Sequence, residues 1–436
     1  LLWLVAALAA PAAERLVIIS PHYEAIRDEF GRAFSAWHAD EHGAPVEVDW
    51  RVVGGTSESL RFVLSEFARK PDGIGLDVFF GGGQEPYLEL AAKDLTLPHA
   101  LPPDILAGVP AEVAGIELRA ADHAWHGAAI SSFGILQNLR VQQLAGLPAV
   151  TRWEDLARPE LRGWGGAGDP RNSGTMNVMF ESFLQFYGWE KGWRLLTQLA
   201  GNTRRFDRLS AVTARDATLG ESAYALAVDF FAFTQVAAAG RTNMSFLLPE
   251  DFAAINPDGI AVLRGAPQAA LAGRFVDFVM SDAGQKLWFL PRGHPQGPQR
   301  HSIERMPVRP ALYARFRDVS NVQFSPFDLP GGFRYDARLG GQRRGVVAAL
   351  AGALFVDLHP ELQRAWRGVI ARGLEAGELA ELGRVPLTEA EALALASDAW
   401  KLPAERNARR TEWQRWGRAK YARLAGGAGR VPWALR

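Results

Sequence analysis

Residues 46–67 read VEVDWRVVGGTSESLRFVLSEF. Val46, Val48, Trp50 and Val52 alternate, which gives a strand one apolar side. Leu60, Val63, Leu64 and Phe67 then recur at intervals of three and four, which buries one face of a helix. Gly54, Gly55, Thr56 and Ser57 stand between them, residue types that let a chain turn and that cap a helix start. The same order recurs on either side. LVIIS (16–20) leads through Pro21 and His22 into a helix with Ile26, Phe30, Phe34 and Trp37 on one face, and LDVFF (76–80) leads through GGGQE into another helix. Strand, polar turn and helix repeated three times in succession predict an α/β fold with a parallel sheet covered by helices.

The pattern resumes after a Pro- and Ala-rich stretch at 101–125. Residues 126–138, HGAAISSFGILQN, read as a strand leaving the first unit. GDPRNSGT (168–175) opens a helix at 176–187, a second helix follows at 189–200 and a third at about 211–219, and AYALAV (223–228) is a strand. GIAVL (259–263) reads as a return to the first sheet, with helices over 267–290 and a Pro/Gly-rich passage at 291–332. The expected division is a signal-peptide remnant at 1–13, a first lobe at 14–125, a second lobe at 126–245, a return with connecting segment at 246–335, and a helical C-terminal extension at 336–436.

Composition narrows the function. The 436 residues carry 48 Lys and Arg against 48 Asp and Glu, so no strong field favours nucleic acid or an anionic membrane. Cysteine is absent, which excludes a thiol nucleophile, Cys-ligated zinc and a lipid anchor on cysteine. LLWLVAALAAPAAE at the start matches the apolar core of a secretory signal, with Ala10-Pro11-Ala12 as a small-residue cleavage site. Export to a periplasm as a soluble monomer is expected. No cofactor and no resident metal are expected.

Four polar turns are candidate ligand positions: Ser20 with His22, Gly55 with Thr56 and Ser57, Gly82, and Asn172 with Ser173, Gly174 and Thr175. A helix start leaves backbone N–H groups unpaired and carries roughly half a positive charge, so each could hold an anion without Lys or Arg. Each could also be no more than a capped βα turn. Arg208, ahead of the helix that Ser210 caps, is a candidate to pair with that anion. Phe230 is a candidate to stack on an organic ligand, with core packing as the alternative.

Two motif matches are set aside. His38-x-x-Glu41-His42 has the letters of an inverted zinc-peptidase motif, but it closes a helix at Gly43 where histidines suit the dipole. Gly163 to Gly168 spells G-x-G-x-x-G, but Asp169-Pro170 follows instead of a helix. The Arg-rich stretch from 401 onward, with Trp413 and Trp416, reads as a surface helix packing its tryptophans inward.

SPHYEAIRDEF, VDWRVVGGTSE, LDVFFGGG, WEDLARPELRGWGGAGDPRNSGT, GESAYALAVDFFAF and GIAVLRGAPQAALAGRFVDFVMSDAGQKLW follow one another in this order. Together they resemble the extracellular solute-binding proteins of ABC importers, in the branch that includes ferric-iron, phosphonate and sugar-phosphate binders. The resemblance covers roughly 15 to 310. It implies a bilobal type II periplasmic-binding-protein-like fold that closes on a small-molecule solute in an interlobe cleft and then docks on a membrane permease. It implies ligand contacts at Ser20, His22, Thr56, Ser57, Gly82, Ser173, Gly174 and Thr175, and it brings in Asp229 as a cleft-facing group. Ferric-binding relatives carry two adjacent tyrosines after this strand, whereas here the chain reads Asp229-Phe230-Phe231, and phenylalanine cannot ligate iron. The expected function is a periplasmic binding subunit for a small anionic or polar solute, with a phosphorylated or phosphonate-like ligand favoured. Iron or iron-chelate binding without the tyrosine pair, a module reporting to a membrane sensor, and a secreted hydrolase are the alternatives.

Overall fold

The computed structural model describes residues 14–426 apart from 209, 323, 330–332, 397–399 and 401. The stretch read as a signal remnant lies outside them. The described residues form two compact units: one holds those within 14–131 and 256–328, the other those within 132–255 and 329–426.

The first unit begins with β1 (Glu14–Ile19), α1 (Glu24–His42), β2 (Val46–Arg51), α2 (Thr56–Arg69), β3 (Val78–Phe80) and α3 (Glu85–Ala92). The short β4 (Thr96–Leu97), α4 (Pro103–Ala107), β5 (Glu112–Val113) and β6 (Ile116–Glu117) follow, and β7 (His126–Asn138) carries the chain across. The second unit continues with α5 (Leu139–Ala145), β8 (Gly165–Gly168), α6 (Gly174–Tyr187), α7 (Trp189–Asn202) and β9 (Thr203–Asp207). Then come α8 (Ser210–Thr218), β10 (Tyr224–Val228), α9 (Asp229–Ala239) and β11 (Met244–Leu247). The chain returns on β12 (Ala254–Leu263) to α10 (Ala269–Met280), α11 (Asp282–Phe289) and α12 (Pro310–Arg315). It ends in the second unit with α13 (Ala337–Ala351), a π turn at Gly352–Val356, α14 (His359–Ala371), α15 (Ala376–Gly383), α16 (Glu389–Leu395) and α17 (Pro403–Ala425). The sequence reading placed the crossings after 125 and 245. The division falls at 131/132 and 255/256 because β7 and β12 run continuously through it.

In the first unit the strand order is β2-β1-β3-β12, with β4 on β12. β1 pairs in parallel with β2 and β3, and β12 runs antiparallel to β3. β2 is the outer strand, so its alternating apolar side is only half covered and Val52, just beyond it, is 53% exposed. The predicted face of α1 is buried through Ile26, Phe30 and Phe34, with Phe30 against Trp288 and Phe34 against Phe275.

In the second unit β8 lies between β9 and β10 and is parallel to both, while β7 runs antiparallel to β10 and β11. The glycines that spell a dinucleotide motif are partly this strand, and the Asp169-Pro170 turn follows it. A single core joins the sheet to the C-terminal helices: Phe180, Phe183, Trp193 and Leu196 share it with Val347, Leu354, Trp366 and Trp413. Trp366 Nε1 donates to Asn202 Oδ1 at 2.7 Å, and Trp189 Nε1 donates to the Leu387 carbonyl at 2.9 Å. The helical extension is therefore part of this unit's core, not an appendage to it. Of the two tryptophans expected inward on α17, Trp413 is buried and Trp416 is half-buried. Arg409, Arg410 and Arg423 pair with Glu405, Asp357 and Glu381, so these arginines offer no bare basic face.

Buried histidines tie this fold to pH. His126 is enclosed in the first unit and its Nε2 donates to the His99 carbonyl at 2.8 Å. Burial, more than the neighbouring His99, His123 and Arg119, pushes its pKa down to about 4. The unfolded chain takes up this proton near pH 6.5, whereas the folded chain resists it until about 4. Stability is thus expected to be full above pH 6.5 and to fall by about 3 kcal/mol at most between pH 6.5 and 4 through this residue. Urea midpoints measured across that range should fall less steeply for His126→Gln than for the parent chain.

Candidate functional site

In the first unit the carboxyl ends of β1, β2 and β3 lie side by side, so the turns before α1, α2 and α3 share one rim. These three turns meet. A Cβ on Gly82 would lie 2.7 Å from Thr56 Oγ1 and 3.1 Å from Pro21 Cγ. Gly81, Gly82 and Gly83 all have φ between 79° and 100°, a left-handed run that only glycine adopts without strain. Gly55 is exposed and precedes α2, and Thr56 is half-buried. The Glu58 carboxylate reaches back to within 3.1 Å of a Cβ position on Gly55, so the start of α2 already has an anion beside it. The side chain of Ser57 lies outside the described atoms.

Ser20 and His22 are both buried. Ser20 is fully buried and its Oγ accepts from His22 N–H at 3.1 Å. The His22 ring packs edge-on to Phe80 and sits 3.2 Å from Asp258 Oδ2. The same Asp258 oxygen meets Arg305 Nη1 at 2.5 Å, and Asp258 Oδ1 accepts from Gly83 N–H at 2.8 Å. β12 brings Asp258 to this rim because it runs antiparallel to β3, with Ile260 opposite Phe80. Burial pushes the Asp258 carboxyl up, but Arg305 and then His22 outweigh it and hold it well below the ordinary carboxylate range. Burial also lowers His22, against the pull of Asp258. The charged pair is therefore Arg305 with Asp258, and neutral His22 donates to it. The amide of the glycine turn is answered from within the protein.

In the second unit the parallel strands β8, β9 and β10 end at Gly168, Asp207 and Val228, each followed by a helix start. The turn before α6 is held tightly. The Asp169 carbonyl accepts from Asn172 and Ser173 N–H at 3.0 and 2.9 Å, and Asp169 Oδ1 accepts from Arg171 N–H at 2.9 Å. Ser173 is buried: its Oγ caps Met176 N–H at 3.2 Å and lies 2.5 Å from the Ser210 hydroxyl at the start of α8. Asn172 and Gly174 are exposed and Thr175 is half-buried. Among the described residues, Gly174 N–H and Thr175 N–H have no protein acceptor. Arg344 of α13 brings a guanidinium to the same place, with Nη2 3.1 Å from a Cβ position on Gly174.

Arg208 is exposed beside this rim. Asp229 is fully buried and accepts from Ser132 N–H at 3.1 Å and from Phe230 N–H at 2.8 Å, so it pins β7 to the start of α9. Phe230 is half-buried, with its ring 4.5 Å from that of Phe231, and it packs against the core. Neither His38 ring nitrogen is open to zinc: Nδ1 lies 2.7 Å from the Ala44 carbonyl and Nε2 lies 3.0 Å from Arg274. Asp28, Glu29 and His301 cluster, but Glu29 accepts from the amides of Gln299, Arg300 and His301 as well as from Arg32.

Sequence reasoning did not find Asp258, Arg305 or Arg344. Asp258 had a signal, a carboxylate at the head of an apolar strand. The other two lie in a Pro/Gly-rich passage and a C-terminal helix whose sequence surroundings carry no site pattern.

Residues 91–298 match the family described as bacterial extracellular solute-binding protein. The matched residues are a little under half of the chain, and the similarity to that family extends over them alone. Members of that family are binding proteins, and the fold of this chain is of the type II periplasmic-binding-protein class. It is similar to the phosphoglycerate transport regulatory protein PgtC of Salmonella typhimurium, 28% identical over 159 residues. That alignment covers 36% of this chain and 39% of PgtC, well under half of either. The fold is similar to that of the periplasmic binding protein AfuA from Actinobacillus pleuropneumoniae with fructose-6-phosphate bound. The match is 20% identical, covers 63% of this chain and 81% of AfuA, and has a TM-score of 0.50. It is also similar to that of iron-bound HitA from Pseudomonas aeruginosa, 23% identical over 63% of this chain and 83% of HitA, with a TM-score of 0.50.

The first unit depends on Asp258 for the shape of its glycine turn. Asp258→Asn would leave the Arg305 guanidinium buried without its counter-charge, a change expected to cost about 3–5 kcal/mol. Urea unfolding at pH 7 measures it, and equal midpoints would show that the network does not hold the turn.

Proposed function

We propose that this protein is the solute-capturing subunit of an ABC-type importer, exported to the periplasm, and that its solute is a small phosphorylated organic anion. The observation that carries this reading is the start of α6. Two backbone N–H groups without an acceptor among the described residues lie there, with half-buried Thr175 beside them and the Arg344 guanidinium close to Gly174. Helix starts of this kind favour phosphate because the amides point outward and the dipole adds positive charge. Asn172, Gly174, Thr175 and Arg208 are the second-unit residues assigned to the ligand, and Gly55, Thr56, Ser57 and Gly82 form the first-unit rim. Ser20, His22, Ser173 and Asp229 act behind them as scaffold, and Phe230 lines the rim as an apolar neighbour.

The names of the similar proteins agree with the class, since one concerns phosphoglycerate and another holds fructose-6-phosphate. Iron is disfavoured by chemistry: where a phenolate pair would stand, Phe230 and Phe231 offer no oxygen. The protein binds without turnover in this reading, because the site lacks an assigned nucleophile with a base beside it. One observation favours a second destination for the bound state. PgtC is named a regulatory protein of transport, so the loaded form here would be read by a membrane sensor instead of a permease.

The test is a thermal-shift and calorimetric panel on the full chain with 2- and 3-phosphoglycerate, fructose 6-phosphate, inorganic phosphate and ferric citrate. A phosphorylated compound at a hundred times its dissociation constant should add about 2.7 kcal/mol of stability. Thr175→Val should weaken that compound about tenfold, as expected for one lost hydrogen bond to a charged group. Binding of ferric citrate with none of the phosphorylated compounds would overturn the assignment.

A further inference from the structure

Three histidines meet in the first unit where β7 begins. His99, just after β4, is held from both sides: its N–H donates to the His123 carbonyl at 3.0 Å, and its carbonyl accepts from His126 Nε2 at 2.8 Å. The His99 ring is engaged elsewhere, with Nε2 2.8 Å from Asp277 Oδ1. His123 and His126 belong to one tight turn. Ala120 N–H donates to the Trp125 carbonyl at 3.1 Å, His123 N–H donates to the Ala120 carbonyl at 3.1 Å, and Arg119 bridges His126 as an antiparallel partner. His123 has a φ of 63°, a left-handed conformation that few residues other than glycine adopt. The turn therefore presents both imidazoles with little freedom, their ring centres 6.0 Å apart and their planes inclined by 32°.

The bond to the His99 carbonyl puts a proton on His126 Nε2, so the neutral ring carries its lone pair on Nδ1. That nitrogen is enclosed, and among the described residues it has no hydrogen-bond partner. The same holds for Nδ1 of His123. His126 is 1% exposed, so bulk solvent does not answer its lone pair. An enclosed polar atom without a partner is costly, and two of them on neighbouring rings in one turn call for a shared guest. A histidine that ligates a metal donates its other N–H to a carbonyl or carboxylate, which fixes the tautomer and the ring. His126 already stands in that arrangement toward His99. Imidazole nitrogens take zinc at about 2.0–2.1 Å, which puts the centres of two rings on one ion roughly 5–6.5 Å apart. The observed separation of 6.0 Å falls within that span.

We infer that His123 Nδ1 and His126 Nδ1 form a two-histidine seat for a divalent transition-metal ion of the zinc, nickel or copper class, with water completing its coordination. Imidazole selects these ions over calcium and magnesium, which prefer oxygen. The chain has no cysteine to compete for them. His123 is half-buried, so the ion reaches the seat from its side. The charge of Arg119 is drawn off by the Val109 carbonyl, which accepts from its Nη1 at 2.8 Å. A bound ion would clamp the 120–125 turn to the first residue of β7. No residue assigned to the solute takes part, so the seat is independent of the proposed solute.

The experiment uses the full chain, freed of metal with a chelator, dialysed and then titrated with zinc, nickel or copper chloride alone. Uptake of one ion per chain is expected. His123→Gln and His126→Gln should each weaken it by about tenfold or more. His301→Gln, in the separate cluster with Asp28 and Glu29, should leave it unchanged. With copper, electron paramagnetic resonance of the parent chain should show coupling to imidazole nitrogen, reduced in His123→Gln. His123 is half-buried, so its variant should keep the metal-free urea midpoint of the parent. No uptake by the parent, or uptake and nitrogen coupling that persist in His123→Gln, would overturn the inference. An ion lost in His301→Gln and kept in His123→Gln would overturn it too, since that ion belongs to the other cluster. A parent copper spectrum without nitrogen coupling refutes it whatever the variants do.

Discussion

Backbone amides at a helix start need an acceptor, and in each unit parallel strands place several such starts along one rim. The structure answers this need in two ways. At Gly83 the acceptor is Asp258, at Met176 it is Ser173 Oγ, and at Ser132, on the strand beside α9, it is Asp229. At Gly174 and Thr175 no described protein group answers. The same constraint that builds the rim thus separates its scaffold positions from its open one. Ser20, Ser173 and Asp229 each accept from the protein's own backbone, and His22 donates to Asp258.

Buried charge follows the same logic. Asp258 is tolerable inside the first unit because Arg305, the Gly83 amide and neutral His22 converge on it. Glu181 and Arg343 form a comparable pair in the second unit, both almost fully enclosed. Burial raises the Glu181 carboxyl while Arg343 draws it back, and the net direction is upward. Pairs like these add little net stability over apolar residues, but they fix geometry because removing one partner is costly. Here they fix a glycine turn and the seating of α13 on α6.

The C-terminal helices show how packing and electrostatics combine. Trp366, Trp413 and Leu354 join the apolar core of the second unit, which holds the helices in place. With that position set, Asp357 can receive Arg171 and Arg344 can reach Gly174. Removing the helices would expose the buried face of α6 and α7, so this region is bound to the site by the hydrophobic effect as well as by ion pairs.

The alternation at 46–52, the helical spacing at 60–67 and the capped turns were enough to read an α/β fold with polar strand-to-helix rims. Local periodicity and turn chemistry act within a few residues, so they are written in consecutive letters. The GGAG strand was not legible, since four small residues carry no alternation and become a strand only because β9 and β10 flank them. Nor were the partners of the rim. Asp258 lies 175 residues from Gly83, and Arg343 lies 162 residues from Glu181. The sequence by itself determined where helices begin and which turns could offer amides. Only the tertiary structure decided which amides were already answered, because that depends on side chains distant in the chain and brought near by the sheet order and the shared core.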